Sequence, residues 1–418
     1  MESKLKVLKR VLTVIFIVCI SGVIGQLLLI GVYCLPTKPI ELNIGRGAEI
    51  LLIQGNGYIY ADGYRQATLD NETDATMLSE ALFPSESCID GAVTVPRYIY
   101  EGRESQLYSL MAYLNHDDIS EAARFNYSRY WHGYLTILKP FFSVFDYSDF
   151  KIINQAIQLV IIFVIIALMY KNHMEKFLIA FASMLIIWNP ATIGVSLQYA
   201  ACFYISMIGC IVVLSRDIKR KWLLFLILGI LTSYFDFLTY PIVTFGIPLI
   251  FLILKDKNES TKPVISIFEN GIYWGVGYLG MWASKWIIGT LISSENIIKD
   301  ALVNIDSRTS TSVEGVEITR IGTVYRLLQA TFFKWPYLIM FCGIIVYLLV
   351  KYHKSIKINA ATVALVLISL VPIGWFIVTA NHSYIHPRLV YRDWGISILA
   401  LLSVPIVGKE QITANNQS

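Results

Sequence analysis

The sequence has little charge. Asp, Glu, Lys and Arg together make up 15% of its 418 residues, whereas 56% are hydrophobic. This composition excludes a water-soluble globular domain, in which about a quarter of the residues are charged. Runs of five Lys or Arg are also missing, so the net charge of +4 gives no reason to expect a nucleic-acid partner. We therefore expect an all-α polytopic membrane protein.

Cysteine is scarce and lacks metal-binding spacing. The six cysteines include no C-x-x-C pair, and no Cys/His cluster has the spacing of a zinc site. The pattern thus leaves the presence of a metal unknown. Cys34 and Cys88 lie at one polar segment and would form a disulfide if their geometry allows it. The others fall in apolar segments and are expected to be small core residues: Cys19, Cys202, Cys210 and Cys342.

About ten apolar segments are long enough for a helix to cross a hydrocarbon core of roughly 30 Å. The segments at Phe177 and Pro241 are the shortest of them. The ten begin near Val11, Ile152, Phe177, Val195, Trp222, Pro241, Asn270, Pro336, Ile358 and Trp394.

The cations predict the orientation, because short loops rich in Lys and Arg stay in the cytoplasm. Both termini are therefore expected to be cytoplasmic, and the long loops 37–151 and 293–335 to lie outside. We expect a multi-pass protein of a bacterial plasma membrane. The loop cations are Lys4, Lys6, Lys9, Arg10, Lys171, Lys176, Arg216, Lys219, Arg220, Lys221, Lys255, Lys257, Lys262, Lys351, Lys354 and Lys357.

These assignments divide the chain into successive parts. They are a cytoplasmic N-terminus with the first transmembrane helix (1–36), a long outer loop of mixed structure (37–151), transmembrane helices 2–7 (152–292), a second outer loop (293–335), transmembrane helices 8–10 (336–408) and a polar, disordered cytoplasmic tail (409–418).

The long outer loop has local patterns of its own. Two apolar runs flank Gly55-Asn56-Gly57, which predicts a short hairpin over 50–61. Apolar spacing over 74–83 predicts a helix that starts at the acidic cluster Asp70, Glu72 and Asp74. The stretch 131–150 mixes aromatic, charged and apolar residues, as in a helix lying in the membrane interface.

The acidic cluster is the first candidate site. A carboxylate facing a hydroxyl can act as a general base, and neighbouring carboxylates can hold a divalent cation. The alternative is structural, because acids in the first turn of a helix cap free N–H groups.

Aromatic and basic residues near the end of the same loop are the second candidate. Arg129, Tyr130, Trp131 and His132 suit stacking on a sugar and hydrogen bonding to its hydroxyls. Rings at a membrane boundary also serve as simple interface anchors.

Cations at the outer ends of late spans are the third candidate. Lys285 lies within a span, where a charge is normally retained for a partner or a function, although snorkelling to the interface is the alternative. Arg388 and Arg392 suit bidentate recognition of phosphate. His382 and His386 accompany them, and Pro387 disfavours a metal site there.

Further charges are less specific. Asp236 either faces the same cavity or caps the helix that follows it. Solvated surface is the default interpretation of the cations in the second outer loop: Arg308, Arg320, Arg326 and Lys334.

One span, a long acidic loop and then many spans with cationic outer ends form an architecture that resembles the integral-membrane glycosyltransferases of the GT-C type. The stretches 130–134 (YWHGY), 282–286 (WASKW) and 381–386 (NHSYIH) are similar to those of uncharacterised bacterial membrane proteins grouped with that superfamily. The resemblance implies a polyprenyl-phosphate-type sugar donor and a base in the first outer loop.

Carried onto this chain, the resemblance makes Asp70 or Asp74 the base. Lys285, Arg388, Arg392 and His382 would bind the donor phosphate. The residues that would bind sugar or acceptor are Arg129, Tyr130, Trp131, His132, Asp236 and His386.

We therefore expect an inverting transfer of a sugar from the lipid donor to a glycan or lipid acceptor of the cell envelope. The partners would be these substrates and membrane lipids. No cofactor is certain, and a divalent cation is the one candidate. The alternatives are a flippase or transporter, and a polymerase of envelope polysaccharide.

Overall fold

A computed structural model describes residues 2–103, 105–256, 262–352 and 358–415. Lys257, Lys354 and Lys357 of the basic loops, and residues 416–418 of the expected tail, lie outside the described residues.

The described residues are mainly helical. In chain order the α-helices are α1 (Glu2–Tyr33), α2 (Thr37–Gln54), α3 (Asn71–Leu82), α4 (Cys88–Thr94), α5 (Gln106–Leu114), α6 (Leu135–Phe142), α7 (Tyr147–Lys171), α8 (Leu178–Trp188), α9 (Pro190–Gly194), α10 (Leu197–Ser215), α11 (Lys221–Phe235), α12 (Val243–Lys255), α13 (Pro263–Ile292), α14 (Ile297–Thr309), α15 (Arg320–Phe332), α16 (Trp335–Tyr352), α17 (Ala360–Ser369), α18 (Val371–Val378), α19 (Ala380–Ile385), α20 (Pro387–Val390) and α21 (Trp394–Asn415).

Two small antiparallel sheets accompany the helices. β1 (Pro96–Tyr100) pairs with β2 (Ala122–Asn126), with Pro96 opposite Asn126. β3 (Ser312–Val313) pairs with β4 (Val316–Glu317). The class of an all-α protein with a mixed first loop is therefore confirmed.

Some of the expected spans do not have the length and apolarity of a membrane-crossing helix. Helices α8, α11 and α12, of 11, 15 and 13 residues, and the longer α13 occupy four of the expected spans but do not meet both the length and the apolarity of a span. The number of about ten spans is therefore not confirmed. In the described chain, six stretches are long and apolar enough to cross a membrane: Lys4–Tyr33, Tyr147–Lys171, Leu197–Ser215, Trp335–Tyr352, Ala360–Val378 and Pro387–Val407.

Close helix packing forms the centre of the bundle. A Cβ added at Gly229 of α11 would lie 2.1 Å from the carbonyl oxygen of Trp274, and one at Gly277 of α13 would lie 2.2 Å from that of Leu226. Small residues at these positions let two backbones approach, as is usual between membrane helices. The pair α11 and α13 thereby forms a fixed wall beside α10, α12 and α17.

The predicted hairpin over 50–61 is wrong. Residues 50–54 complete helix α2, whose buried residues Ile40, Ile44, Ala48 and Leu51 follow a helical period. A short apolar run fits either structure, and here the preceding turns continue through it. Gly55, with φ of 72°, then ends the helix, and the chain beyond it forms a bridge between Ile59 and Thr68.

Helix α3 agrees with the predicted helix start at the acidic cluster. The expected interface helix over 131–150 is instead two helices, α6 and α7. Asp146 and Asp149 form a capping box at the start of α7 and so separate it from α6. The tail differs from expectation as well, because α21 continues to Asn415.

Cys34 and Cys88 form a disulfide. Their Cα atoms are 5.2 Å apart, and the bond joins the end of α1 to the start of α4. The first loop is thereby tied covalently to the first helix. We refer to the end of the bundle against which residues 37–146 pack as the loop end.

Candidate functional site

The three acids of the predicted cluster point in three directions. Glu72 accepts hydrogen bonds from the backbone N–H groups of Gln106, at 2.8 Å, and Leu107, at 3.4 Å. It therefore caps α5, because the first N–H groups of a helix have no partner within it.

Asp74 caps a different helix. Its carboxylate accepts hydrogen bonds from the N–H groups of Leu197 (3.1 Å) and Gln198 (3.4 Å), at the start of α10, and from the Tyr147 hydroxyl (2.8 Å). The side chain is 1% exposed. Burial raises the pKa of Asp74 to about 6, and the Leu197 and Tyr147 bonds oppose the rise. Asp74 thus has the contacts of a structural residue.

Asp70 combines a cap with an ion pair. It accepts hydrogen bonds from the Thr73 N–H, at 3.4 Å, and the Thr73 hydroxyl, at 2.9 Å, and so starts α3. One of its oxygens also lies 3.0 Å from a guanidinium nitrogen of Arg388, which follows the last loop of the chain. The structure therefore brings together one predicted base and one predicted phosphate ligand.

This geometry does not fit a divalent cation between the acids. Asp70 faces Arg388, Glu72 faces α5 and Asp74 faces α10, so no two of the carboxylates share a partner. Throughout the described residues, no group of three or more His, Cys, Asp or Glu side chains is placed to hold a metal.

Two histidines extend the site from Arg388. The rings of His382 and His386 lie 4.9 Å apart, and the Nε2 atom of His386 is 3.4 Å from a guanidinium nitrogen of Arg308. Burial lowers the pKa of His386 to about 4, with contributions from Arg308 and Arg388. His386 is therefore neutral at pH 7 between two cations.

Arg308 is a site residue that the sequence pattern missed. It was expected on solvated surface, and it lies at the last turn of α14, a helix of mixed polarity with mostly exposed apolar residues. Its partner His386 is distant in the chain, so no local pattern signals the contact.

Arg392 is fully buried behind Arg388. One of its guanidinium nitrogens donates to the Arg388 carbonyl oxygen at 2.8 Å, and the group lies 3.7 Å from the centre of the Tyr199 ring. Stacking on an aromatic face stabilises a guanidinium. Its Nε and second terminal nitrogen, and both carboxylate oxygens of Asp393, have no hydrogen-bond partner among the described residues.

Buried polar atoms without a hydrogen-bond partner are frequent around Arg388 and Arg392. Because leaving such an atom unpaired costs about 1–3 kcal/mol, a cluster of them indicates a place that water or a ligand would occupy. The atoms include Arg388 Nε, His382 Nδ1, Thr68 Oγ1, Tyr391 Oη and both amide atoms of Gln198.

An apolar groove of about 280 Å³ opens beside Arg308. One wall is a stripe of aromatic residues on α13, in which Trp274, Tyr278, Trp282 and Trp286 follow at intervals of one helical turn. Successive ring centres are 4.9, 5.4 and 5.7 Å apart. Arg308 lines the groove and also contacts His386, so it connects the groove with the Asp70–Arg388 pair.

The predicted sugar-binding residues separate into two groups. Arg129 and Tyr130 line the groove, and Arg129 pairs with Asp300 at 3.2 Å. Trp131 is fully buried and donates from its indole N–H to the Met281 carbonyl oxygen at 2.7 Å. Trp131 therefore serves to pack the first loop on α13.

His132 belongs to a separate buried network. Its Nδ1 atom lies 2.6 Å from the Tyr134 hydroxyl and 3.1 Å from a carboxylate oxygen of Glu80. Glu80 also accepts from Arg97 at 3.3 Å and is fully buried. Glu80 was not singled out in the sequence, because its helical neighbours on α3 are mostly apolar.

Lys285 lies apart from the Arg388 cluster. Its ammonium group donates to the carbonyl oxygens of Val93, at 2.8 Å, and Ala92, at 3.2 Å. These carbonyls belong to the last turn of α4, where a cation is favourable. The side chain is fully buried by these contacts.

Asp236 caps the turn that follows α11. It accepts hydrogen bonds from the N–H groups of Leu238, at 2.9 Å, and Thr239, at 3.0 Å. The Leu238 carbonyl oxygen lies 2.7 Å from His382 Nε2. Asp236 therefore lies next to the site, and it holds His382 in place through Leu238.

The apolar helices and the polar cluster at the loop end define the class as an α-helical membrane protein with a charged site beside an apolar groove. Comparison of the chain with protein-family models, with curated proteins and with solved structures finds no match.

Proposed function

We propose that the protein is a membrane glycosyltransferase that transfers a sugar from a polyprenyl-phosphate-type lipid donor to a cell-envelope glycan or lipid acceptor on the outer face. The observation that carries the proposal is the Asp70–Arg388 pair, 3.0 Å apart, connected through His386 and Arg308 to an apolar groove.

The groove suits the lipid part of the donor. Its rings offer a continuous apolar surface to an isoprenoid chain, and its cationic end offers Arg308 to the phosphate. A guanidinium binds phosphate oxygens through two parallel hydrogen bonds. Burying the chain while the phosphate stays at Arg308 would place the anomeric carbon towards His386 and Arg388.

Asp70 is the proposed base. The acceptor hydroxyl oxygen attacks the anomeric carbon, its proton passes to the Asp70 carboxylate, and the carbon–oxygen bond to phosphate breaks. The phosphate leaves with the bonding electrons and is stabilised by Arg308 and Arg388. Attack from the side opposite to the phosphate inverts the anomeric centre.

An exchange of partners would make Asp70 available for this step. Without donor its carboxylate is 1% exposed and is paired with Arg388, whose side chain is 32% exposed. A phosphate bound to Arg388 would compete for the guanidinium and release the carboxylate to the acceptor. The unpartnered atoms Arg388 Nε and His382 Nδ1 would then bond to phosphate or sugar oxygens.

The test uses the full chain, purified and reconstituted in lipid nanodiscs with a panel of radiolabelled polyprenyl-phosphate hexoses and an envelope extract as acceptor. Asn keeps the helix cap that Asp70 forms, so D70N is expected to fold and to lose transfer by about a hundredfold or more. D62N, at an exposed acid of the same loop, is the matched control and should transfer normally.

The alternatives predict other outcomes. A flippase or transporter would move labelled lipid between leaflets without cleaving the sugar–phosphate bond. The donor would then stay intact with the native chain and with D70N alike. A polymerase would extend product in repeated units. Donor cleavage that is unaffected by D70N would contradict the proposed mechanism.

A further inference from the structure

A cationic pocket lies near the proposed reaction centre, and its lining residue Thr68 is two residues before Asp70 in the chain. Its volume is about 490 Å³, and it is formed by the loop before α3 together with helix α15 and the residues that follow it. The charged and hydroxyl side chains that line it are Tyr64, Arg65, Thr68, Arg326 and Lys334.

The charge of this pocket is of one sign. Three of its lining residues are cations and, among the described residues that line it, none is acidic. Arg326 lies over the Tyr384 ring at 3.9 Å, and Lys334 lies 5.8 Å from the centre of the Tyr64 ring. Aromatic contacts orient these cations without neutralising them, so their charge remains available to an anion.

Thr68 supplies an independent sign of a ligand. The residue is 4% exposed and lines the pocket, and its hydroxyl oxygen has no hydrogen-bond partner among the described residues. A buried hydroxyl is normally paired. A ligand oxygen in the pocket would complete its hydrogen bonding.

The pocket wall is held rigidly. The Gln66 amide donates to the Thr331 carbonyl oxygen at 3.0 Å, and the Gln66 carbonyl oxygen accepts from Asn189 at 2.8 Å and from Thr192 at 2.6 Å. These bonds fix the loop between α15 and α9, so the three cations are presented by a preformed surface.

Residues of the pocket are also linked by contacts to residues of the reaction centre. Thr68 precedes Asp70 by two residues. The Tyr199 hydroxyl donates to the Thr68 carbonyl oxygen at 3.3 Å, and Arg392 stacks on the Tyr199 ring. Tyr384, beneath Arg326, is four residues before Arg388 in the chain. A chain bound in the pocket would therefore extend towards Asp70.

We infer that this pocket binds a phosphate-bearing segment of the acceptor, such as a polyol-phosphate or a phosphorylated glycan. The assignment of the ligand as acceptor rests on the proposed function, whereas the binding of a phosphate-bearing chain does not. Two guanidinium groups and an ammonium group match phosphodiester oxygens better than neutral sugar hydroxyls.

Binding is measured directly on the full chain in nanodiscs, without donor, by microscale thermophoresis with a fluorescent glycerol-phosphate oligomer. The expected result is saturable binding that weakens with salt. R326Q and K334Q should each weaken it about tenfold. K299Q, which removes an exposed cation of α14 outside the pocket, should not change it.

Further probes decide the ligand class. A neutral dextran oligomer and inorganic phosphate should bind at least about tenfold more weakly than the glycerol-phosphate oligomer. Equal binding of an oligogalacturonate or of dextran would overturn the phosphate assignment, and unchanged binding by R326Q and K334Q would overturn the site.

The two proposals fail separately. D70N should bind the glycerol-phosphate oligomer as the native chain does while losing transfer, because Asp70 does not line the pocket. Normal binding in a protein without transfer activity would reject the glycosyltransferase proposal and keep the pocket. Transfer activity in a protein that does not bind this oligomer would reject the pocket proposal and keep the glycosyltransferase proposal.

Discussion

The carboxylate of Asp70 lies 3.0 Å from the guanidinium of Arg388, although one residue precedes the third helix and the other begins the last span. The first loop therefore meets the last loop at the loop end of the bundle. A nearly buried carboxylate in such a pair is held in one position until another anion competes for its partner.

Asp70 and Asp74 should respond differently to substitution. D74N keeps the shape of a side chain that caps α10 and should retain most of the transfer activity. D74A leaves the Leu197 and Gln198 N–H groups buried without a partner and should destabilise the fold by about 1–3 kcal/mol. Thermal melts and transfer assays on D70N, D74N and D74A test this contrast, and loss of transfer in a well-folded D74N would contradict it.

Lys285 should be required for stability rather than for donor binding. K285M removes the ammonium that bonds to the Val93 and Ala92 carbonyl oxygens, which leaves buried acceptors at the end of α4. The expected result is a lower melting temperature with an unchanged KM for donor. K299Q, at an exposed cation, serves as control. A KM increase of about tenfold at a normal melting temperature would instead identify Lys285 as a phosphate ligand.

The groove can be blocked without disturbing the fold. Gly275 lines it, and a Cβ at this position would meet no atom within 4 Å, so the leucine side chain of G275L begins in open space. We expect donor binding to weaken about tenfold in G275L at an unchanged melting temperature. Gly343, also helical and equally open, provides the control G343L. Equal donor affinities in the two variants would show that the lipid binds elsewhere.

The contribution of His386 to stability should fall as the pH is lowered from about 6.5 towards 4. Burial, with Arg308 and Arg388, lowers the pKa of His386 to about 4, while Asp70 opposes this shift. Between that value and the ordinary pKa of about 6.5, the unfolded chain binds a proton that the folded chain does not. Stability conferred by the neutral imidazole is therefore lost as the pH falls through this window.

Melting temperatures measured from pH 7 to 4.5 test this expectation. H386Q should lose less melting temperature over this window than the native chain. Two other groups also contribute to the native pH dependence: burial lowers the pKa of His382, with contributions from His386 and Arg308, and burial raises the pKa of Asp74 to about 6, which acts in the opposite direction. H116Q replaces an exposed histidine and should leave the dependence unchanged. If H116Q reduced the pH dependence of the melting temperature as much as H386Q does, the assignment of this effect to His386 would be wrong.

Local patterns predicted part of the fold. The start of α3 is visible in the sequence because a helix cap and the apolar period that follows it are adjacent in the chain. The α2 helix was missed, since a short apolar run beside glycines fits a strand as well as the end of a helix. The count of about ten spans is not confirmed, because apolar helices as short as α8 and α12 pack inside the bundle, and composition does not distinguish them from spans.

The candidate site was predictable only as a set of chemical groups. Arg388 and Asp70 were both singled out as charges in unusual places, but Lys285 was grouped with them although it caps α4. Arg308 was assigned to the surface although it contacts His386. In each case the deciding partner is contributed by another helix.

Composition and periodicity were sufficient to predict a helical membrane protein, because a chain with 15% charged residues buries its apolar surface in lipid or in a helix bundle. Tertiary structure alone decided which acid faces a cation and which acids only cap helices. Side-chain partners depend on how helices distant in the chain cross, and a hydrogen bond or ion pair of about 3 Å is formed or lost with a small change in that crossing.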